Sequence, residues 1–490
     1  MANITSIKIH PAIGIARLGN SPTQFFIGPE LPGDRRPPKG GYKDASHRIK
    51  RQAARFRLFG YDENNDLVKE ITAADAAIEW TVHVANKKAE WVQFQGPDAQ
   101  TDPGLRRNPK VTDRASLIID PGPRSVHGLN KKAHFDTGKF LGKTVPLGEI
   151  RTDKDGRLLV LGGFGRSNSP KNARIVHWAN NDGWHDDISD GPVTARVALK
   201  GANSPLLAAP SWVICAPPKF APPIDNIITL YDTLFERAVV NGWLSEPDKP
   251  SFTNDIYPIL IRAIHAKWVS AMAAPHHSTL SSVIPPPSTA SARQAIFERL
   301  RDPSIPLDQS SDGDMPMIWS DIYNSASHDS SQPLTKTQYN AMRNWKDGNF
   351  TNDWVAPPGP ATQISPEGLD RAALEACVGG AFFPGIEGSW MLRDTYAYSE
   401  PFRLDQTFLG PGDVTKQMAV PWQTDFYDCS MDGNLAWWPA ARPDDVIPEG
   451  QKKQVAWTRG LVRNGKEMIA RWHRLGFVVQ KGKTYVERRK

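Results

Sequence analysis

The chain contains little cysteine. Cys215, Cys377 and Cys429 are the only three in 490 residues. Three thiols make no disulfide framework, so stability must come from a buried core, which a chain of this length can build. No apolar run reaches the roughly 18 residues that a membrane-spanning helix needs. The N-terminus, MANITSIKIHPAIGIARLGNSP, lacks the basic start and apolar stretch of a signal peptide. The expected location is the cytoplasm, with export by a route that uses no ordinary signal peptide as the alternative. An excess of one charge is also missing: 59 Lys and Arg stand against 53 Asp and Glu. The densest basic runs, HRIKRQAARFR (47–57) and the terminal VERRK, read as solvated surface. With no zinc finger, RNA-binding signature or basic helix, no nucleic-acid partner is expected.

The common catalytic signatures are absent as well. There is no phosphate-binding GxxxxGK[ST], no HExxH and no GxSxG elbow. GGFG (162–165) follows a strand-like run, but the RSNSP after it opens no helix, so a tight loop is expected rather than a dinucleotide site. His276 and His277 have no second ligand pair at metal spacing and read as loop residues. NNDGWHDDISDG gathers Asp182, Asp186, Asp187 and Asp190 without the spacing of a calcium loop, and is expected to be a solvated acidic turn.

Proline (42), glycine (38) and tryptophan (16) are plentiful. Together they favour a loop-rich architecture with strands over a helical bundle. SIKIHPAIGIARLG alternates and is broken by Pro11, predicting two short strands. IEWTVHVANKKAEWVQF predicts a strand, a turn at Asn86–Lys88 and a second strand. DGRLLVLGG, GPVTARVALKG and APSWVICAPP predict three more. From IDNIITLYDTLFERAVV onward the apolar spacing becomes helical, and TKTQYNAMRNWK places Tyr339, Met342 and Trp345 on one stripe. The expected fold class is α+β: a β-rich domain over 1–222, a mainly helical segment over 223–350 packed on it, and a loop-rich, aromatic segment over 351–490.

Two stretches of that last segment carry candidate chemistry. In the first, Ser365-Pro366-Glu367 predicts a helix start, with a capping serine, proline at the first helical position and an acid in the first turn. The helix is expected to run to Gly379-Gly380, placing Cys377 in its last turn as a buried thiol. In the second, 410–448, Trp422, Trp437 and Trp438 lie close in sequence to Cys429 and to Asp413, Asp425, Asp428 and Asp432. This reads as a packed aromatic loop with solvated acids.

The motifs HPAIGIARLGNSP, ANKKAEW, DGRLLVLGGFGRS, DGPVTARV, TLYD, CVGGAFFPGIE, PGDVTKQMAVPWQTDF and AWWPAARPDDV occur in that order from residue 10 to about 446. As a set they resemble the LodA-like family, the quinoprotein L-lysine ε-oxidases and glycine oxidases. The resemblance implies a cysteine tryptophylquinone made from the chain itself, with Cys377 as the sulfur and Trp438, or its neighbour Trp437, as the ring. Cys429 is a rival sulfur. It implies oxidative deamination of an amino acid or primary amine by dioxygen through a Schiff base, releasing ammonia and hydrogen peroxide. It further implies a flavoprotein maturase as partner, a homo-oligomer, and aromatic side chains at the substrate, at Phe220 or Tyr231 and at Phe383. Phe382, Phe383, Trp390 and Trp422 would pack the ring. The family pattern has an aspartate one helical turn before the cysteine, where this chain has Ala373. The candidate bases are therefore Asp370 and Glu375, with Asp425, Asp428 and Asp432 behind them. The alternatives are a cofactor-less member acting as a binding or scaffold protein, and an oxidase of a peptide-bound or biosynthetic amine.

Overall fold

The computed structural model describes residues 4–93, 103–273, 275, 277–284, 286, 289–305, 315–316, 333–379, 386–388, 390–428 and 438–490. A mixed sheet of 13 strands organises the N-terminal half. Its main path runs Arg124–His127, Ala76–Val82, Ser189–Leu199, Ser211–Ala216, Ile13–Arg17, Arg51–Tyr61, Leu158–Leu161, Gly148–Thr152 and Lys132–Phe135. Ser6–His10, Phe25–Ile27 and Leu67–Ile71 also pair with Arg51–Tyr61, whose 11 residues make it the hub. Pairing is antiparallel except where Ser211–Ala216 meets Ile13–Arg17 and Phe25–Ile27 meets Arg51–Tyr61. Ile13–Arg17 and Ser211–Ala216 are buried along their whole length. Apart from Arg17, both read as apolar or small-residue runs because both faces of the sheet are covered there.

The predicted break at Pro11 is present, with strands Ser6–His10 and Ile13–Arg17 on either side. The strand expected after Asn86–Lys88 is not. Lys88–Glu90 forms a short helical turn instead. The reason is long-range: the Lys88 side chain is drawn fully inside the protein to the Asp186 carboxylate, 2.5 Å away. Pulling that side chain inward breaks the in–out alternation a second strand would need.

Helices follow. Thr229 caps Leu230–Val240 with a reciprocal capping box to Asp232. Tyr257–Ala266, Ala290–Phe297 and Lys336–Lys346 come next, the last bearing the expected stripe of Tyr339, Met342 and Trp345, all buried. Pro366–Glu375 starts as its sequence predicts: the Ser365 hydroxyl accepts the Gly368 N–H at 2.9 Å, and Pro366 needs no donor there. Among the described residues no helix is long and apolar enough to cross a membrane. The fold is α+β.

The acidic run 182–190 departs from expectation. Asp182 is exposed, but Asp186, Asp187 and Asp190 are completely buried. Asp186 accepts the backbone N–H of Trp422 at 3.0 Å. Asp190 accepts those of Val414 and Thr415 and the indole N–H of Trp212. These carboxylates clamp the 414–422 segment onto the sheet. Charged groups are tolerated inside only when paired in this way.

Asp187 is held less completely. One oxygen accepts N–H groups from Phe164 and Arg166, while the other has no partner. Burial, helped by the charge of Asp186, pushes its carboxyl up to about 7. Between its ordinary value of 3.8 and about 7, the folded chain keeps a proton that the unfolded chain has released. Stability contributed by that proton is complete at low pH and is lost as pH rises through the window. Asp187→Asn should therefore flatten the fall in urea midpoint between about pH 4 and pH 7 relative to the native chain.

Candidate functional site

Cys377 lies just beyond the helix Pro366–Glu375, in a turn capped by Ala376. The helix stops earlier than Gly379 because the chain turns aside to pair with another segment. Val378 bridges Thr229, Gly379 N–H donates to the Ile228 carbonyl at 2.9 Å, and the Cys377 carbonyl accepts from Leu230 N–H at 3.3 Å. The thiol is thereby fixed at the start of the helix Leu230–Val240. A Cβ on Gly379 would sit 2.0 Å from the Thr229 carbonyl oxygen. Gly379→Ala should cost about 1–3 kcal/mol in a denaturation titration, through forced backbone displacement beside the thiol.

Cys377 is only 2 % exposed. Its S–H donates to the Ala373 carbonyl at 3.2 Å. The Arg17 guanidinium reaches the sulfur at 3.6 Å and the Glu387 carboxylate at 2.6 Å through the same nitrogen, Nη2. The second Glu387 oxygen accepts the Val378 N–H at 3.2 Å. Burial pushes the Cys377 thiol well above its ordinary range, and the charge of Glu387 adds to this against Arg17 and Lys219. Cys377 therefore rests as a neutral thiol.

Trp438 is 1 % exposed and opens a turn in which its carbonyl accepts from Ala441 and Arg442 N–H. Arg442 ties that turn to the Phe426 carbonyl at 2.6 Å. Phe220 donates its N–H to the Ala441 carbonyl at 2.8 Å and packs its ring against Trp457 and Phe477. Val378 and Ile386, from the cysteine side, belong to the same buried apolar cluster as Trp438, Phe220 and Trp422. The fold thus gathers Phe220, Trp422 and Trp438 with the residue that follows Cys377.

The other candidates are placed elsewhere or otherwise engaged. Asp370 directs both carboxylate oxygens at His10 Nδ1, each at 3.1 Å, and one also accepts Ala12 N–H at 2.6 Å. It locks the helix onto the break between the first two strands. Glu375 accepts Gly33 N–H and pairs with Arg35 and Arg371. Tyr231 is half-buried, stacked on Phe402 at 5.1 Å beneath Arg371. Asp425 and Asp428 lie on a helix, Trp422–Asp428, not in a solvated loop, and Asp425 is buried. Trp437, Cys429, Phe382, Phe383 and Asp432 fall outside the described residues, as does the ring of Trp390. Glu387 and Arg17 were not singled out in the sequence. The one available signal was a lone acid inside the apolar, glycine-rich GAFFPGIEGSW.

A cleft of about 290 Å³ adjoins the thiol through Arg17 and Ala376. Lys219, Lys50 and Tyr42 also line it. Lys219 and Arg35 share Asp225, whose carboxyl they hold well below the usual range against the effect of burial. Among the described residues no three His, Cys, Asp or Glu side chains form a metal-binding group.

Comparison with known proteins gives this arrangement a context. Residues 10–215 match the model of the L-lysine ε-oxidase N-terminal domain, and residues 313–448 match that of the C-terminal domain. The chain belongs to the L-lysine ε-oxidase (LodA-like) family. It is 29 % identical to the L-lysine 6-oxidase of Marinomonas mediterranea over 529 aligned positions, covering 87 % of this chain and 71 % of the relative. A structure of the ε-lysine oxidase from that organism superimposes with a TM-score of 0.82 at 25 % identity, covering 99 % of this chain and 95 % of the other. A second, the Schiff base intermediate of that oxidase with L-Lys, gives 0.79 at 24 % identity over the same shares. Membership in the LodA-like family supports an oxidoreductase of the amino-acid oxidase kind. The N-terminal match covers most of the sheet, and the C-terminal match contains both Cys377 and Trp438.

Proposed function

We propose that the chain oxidatively deaminates an amino acid or primary amine with dioxygen, releasing ammonia and hydrogen peroxide. Its redox group would be a cysteine tryptophylquinone built from Cys377 and Trp438, with Trp437 as the alternative ring. The observation that carries this reading is the Cys377 thiol: buried, not in a disulfide, and followed by Val378, which belongs to the cluster that buries Trp438. These residues fit the group, because both partners are enclosed and neither must be drawn from the surface. When formed, the quinone supplies the electrophilic carbonyl and two-electron acceptor that no ordinary side chain provides.

The chain's own residues do the rest. Arg17 and Glu387 fix the sulfur from one side and Ala373 from the other. Phe220, Phe426 and Trp422 exclude water around Trp438. The adjoining cleft is of the size that takes a small ligand, and its Lys219, Lys50 and Arg17 suit a substrate carboxylate. A flavoprotein partner for maturation and a homo-oligomeric state belong to the same proposal.

The test is intact mass after co-expression with the flavoprotein partner, followed by a peroxide assay across amino acids and amines. Two oxygens gained and four hydrogens lost, with peroxide released by at least one amino acid, is the expected result. Plain mass with no peroxide overturns the reading.

A further inference from the structure

The Arg17–Glu387 ion pair is more than a buried structural bridge, because both of its members are tied to residues that adjoin the thiol. Arg17 Nη2 touches the Cys377 sulfur (3.6 Å), the Ala376 carbonyl (3.4 Å) and Glu387 (2.6 Å). Arg17 Nη1 is fixed to the Pro217 carbonyl at 3.0 Å. Glu387 is held by Arg17 on one oxygen and by the N–H of Val378, the neighbour of Cys377, on the other. It is 1 % exposed. An ionised carboxylate offers about four lone-pair sites, so these two donors leave room for a third. Its carboxylate and the thiol meet at the same Arg17 nitrogen, 2.6 Å and 3.6 Å away respectively. The other acids near this helix are committed elsewhere, Asp370 to His10 and Ala12 and Glu375 to Gly33, Arg35 and Arg371.

We propose that Glu387, positioned by Arg17, takes the proton from Cys377 as its sulfur bonds to the tryptophan ring during cofactor formation. This rests on the function proposed above. Burial argues against a free thiolate beforehand, so proton loss must accompany bond formation. The sulfur lone pair makes the S–C bond to the already oxidised ring, and the ring takes up the electron pair. The S–H bond breaks and its proton passes to Glu387. The hydrogen on the attacked carbon then leaves as a proton, and two electrons pass to dioxygen, which takes up two protons and leaves as hydrogen peroxide. A sulfur giving its electrons to carbon becomes a strong acid, so a carboxylate can accept the proton.

The experiment co-expresses the native chain, Glu387→Gln, Glu387→Asp and Arg17→Lys with the flavoprotein partner, and follows peptide masses over time. Glu387→Gln should slow formation of the Cys377–tryptophan cross-link about a hundredfold. It should accumulate a chain with an oxygenated ring and an alkylatable Cys377, and melt within a few degrees of native. Glu387→Asp should recover part of the rate. A purely structural role would not separate oxygenation from cross-linking. Cross-linking of Glu387→Gln at the native rate overturns the proposal. If that variant does not fold, Glu387→Asp decides: a native rate overturns it and a reduced rate in a folded chain supports it. If the native chain itself shows neither oxygenation nor cross-link, the proposed function falls, a result distinct from failure of Glu387 alone.

Discussion

Cys377→Ser should leave a folded chain that keeps its plain mass and releases no peroxide above background from any amine. The serine hydroxyl can still donate to the Ala373 carbonyl and accept from Arg17, the two bonds the thiol makes. The cost to stability should therefore stay near the 1–3 kcal/mol of a polar change at a buried site. Activity should vanish for a different reason: without sulfur there is no thioether, and the chain has no other electrophile to offer an amine. Trp438→Phe should behave likewise at the other end of the link. The paired measurements are intact mass and peroxide release after co-expression with the flavoprotein partner. Retained cross-link and activity in Cys377→Ser would move the assignment to Cys429, and Cys429→Ser would then have to abolish both.

Asp186→Ala should give the largest loss of stability, about 3–5 kcal/mol, because it leaves the Lys88 ammonium buried without its counter-charge. Lys88 and Asp186 are both 0 % exposed. The same carboxylate also accepts from Trp422 N–H, which its removal orphans, and from Asn86 Nδ2, which keeps the Asp186 and Ile188 carbonyls. Removing both charges is gentler. Lys88→Met with Asp186→Asn should be less destabilised than the sum of the single changes, by about 0.5–3 kcal/mol. Chemical denaturation followed by tryptophan fluorescence reads all four chains of this cycle. Equal, additive losses would mean that the pair contributes nothing jointly. Because Trp422 begins the helix that packs on the Phe220–Trp438 cluster, Asp186→Ala should also lower the yield of mature protein.

Much of the site was legible locally. Ser365-Pro366 announced the helix that carries Ala373 and delivers Cys377, because capping and φ preference act within four residues. The ordered motifs identified the family, and with it Cys377 and Trp438 as the pair to examine. The alternation of SIKIHPAIGIARLG gave two of the strands that flank the site. What escaped was the fate of charge. Asp186, Asp187 and Asp190 read as a wet turn and are instead the clamp between the sheet and residues 414–422. Asp370, a candidate base by its helical spacing, has its carboxylate turned to His10 and Ala12, 360 and 358 residues away in sequence.

The sequence by itself therefore determined where several helices and strands begin and which family the chain resembles. Only the tertiary structure decided that Glu387 meets Arg17, 370 residues distant, at the Cys377 sulfur. Local structure follows from side-chain shape and backbone preference, which short stretches of sequence display. A carboxylate has no such local signature: whether it is solvated, clamped or poised against a thiol depends on which distant donors the fold brings within hydrogen-bonding distance.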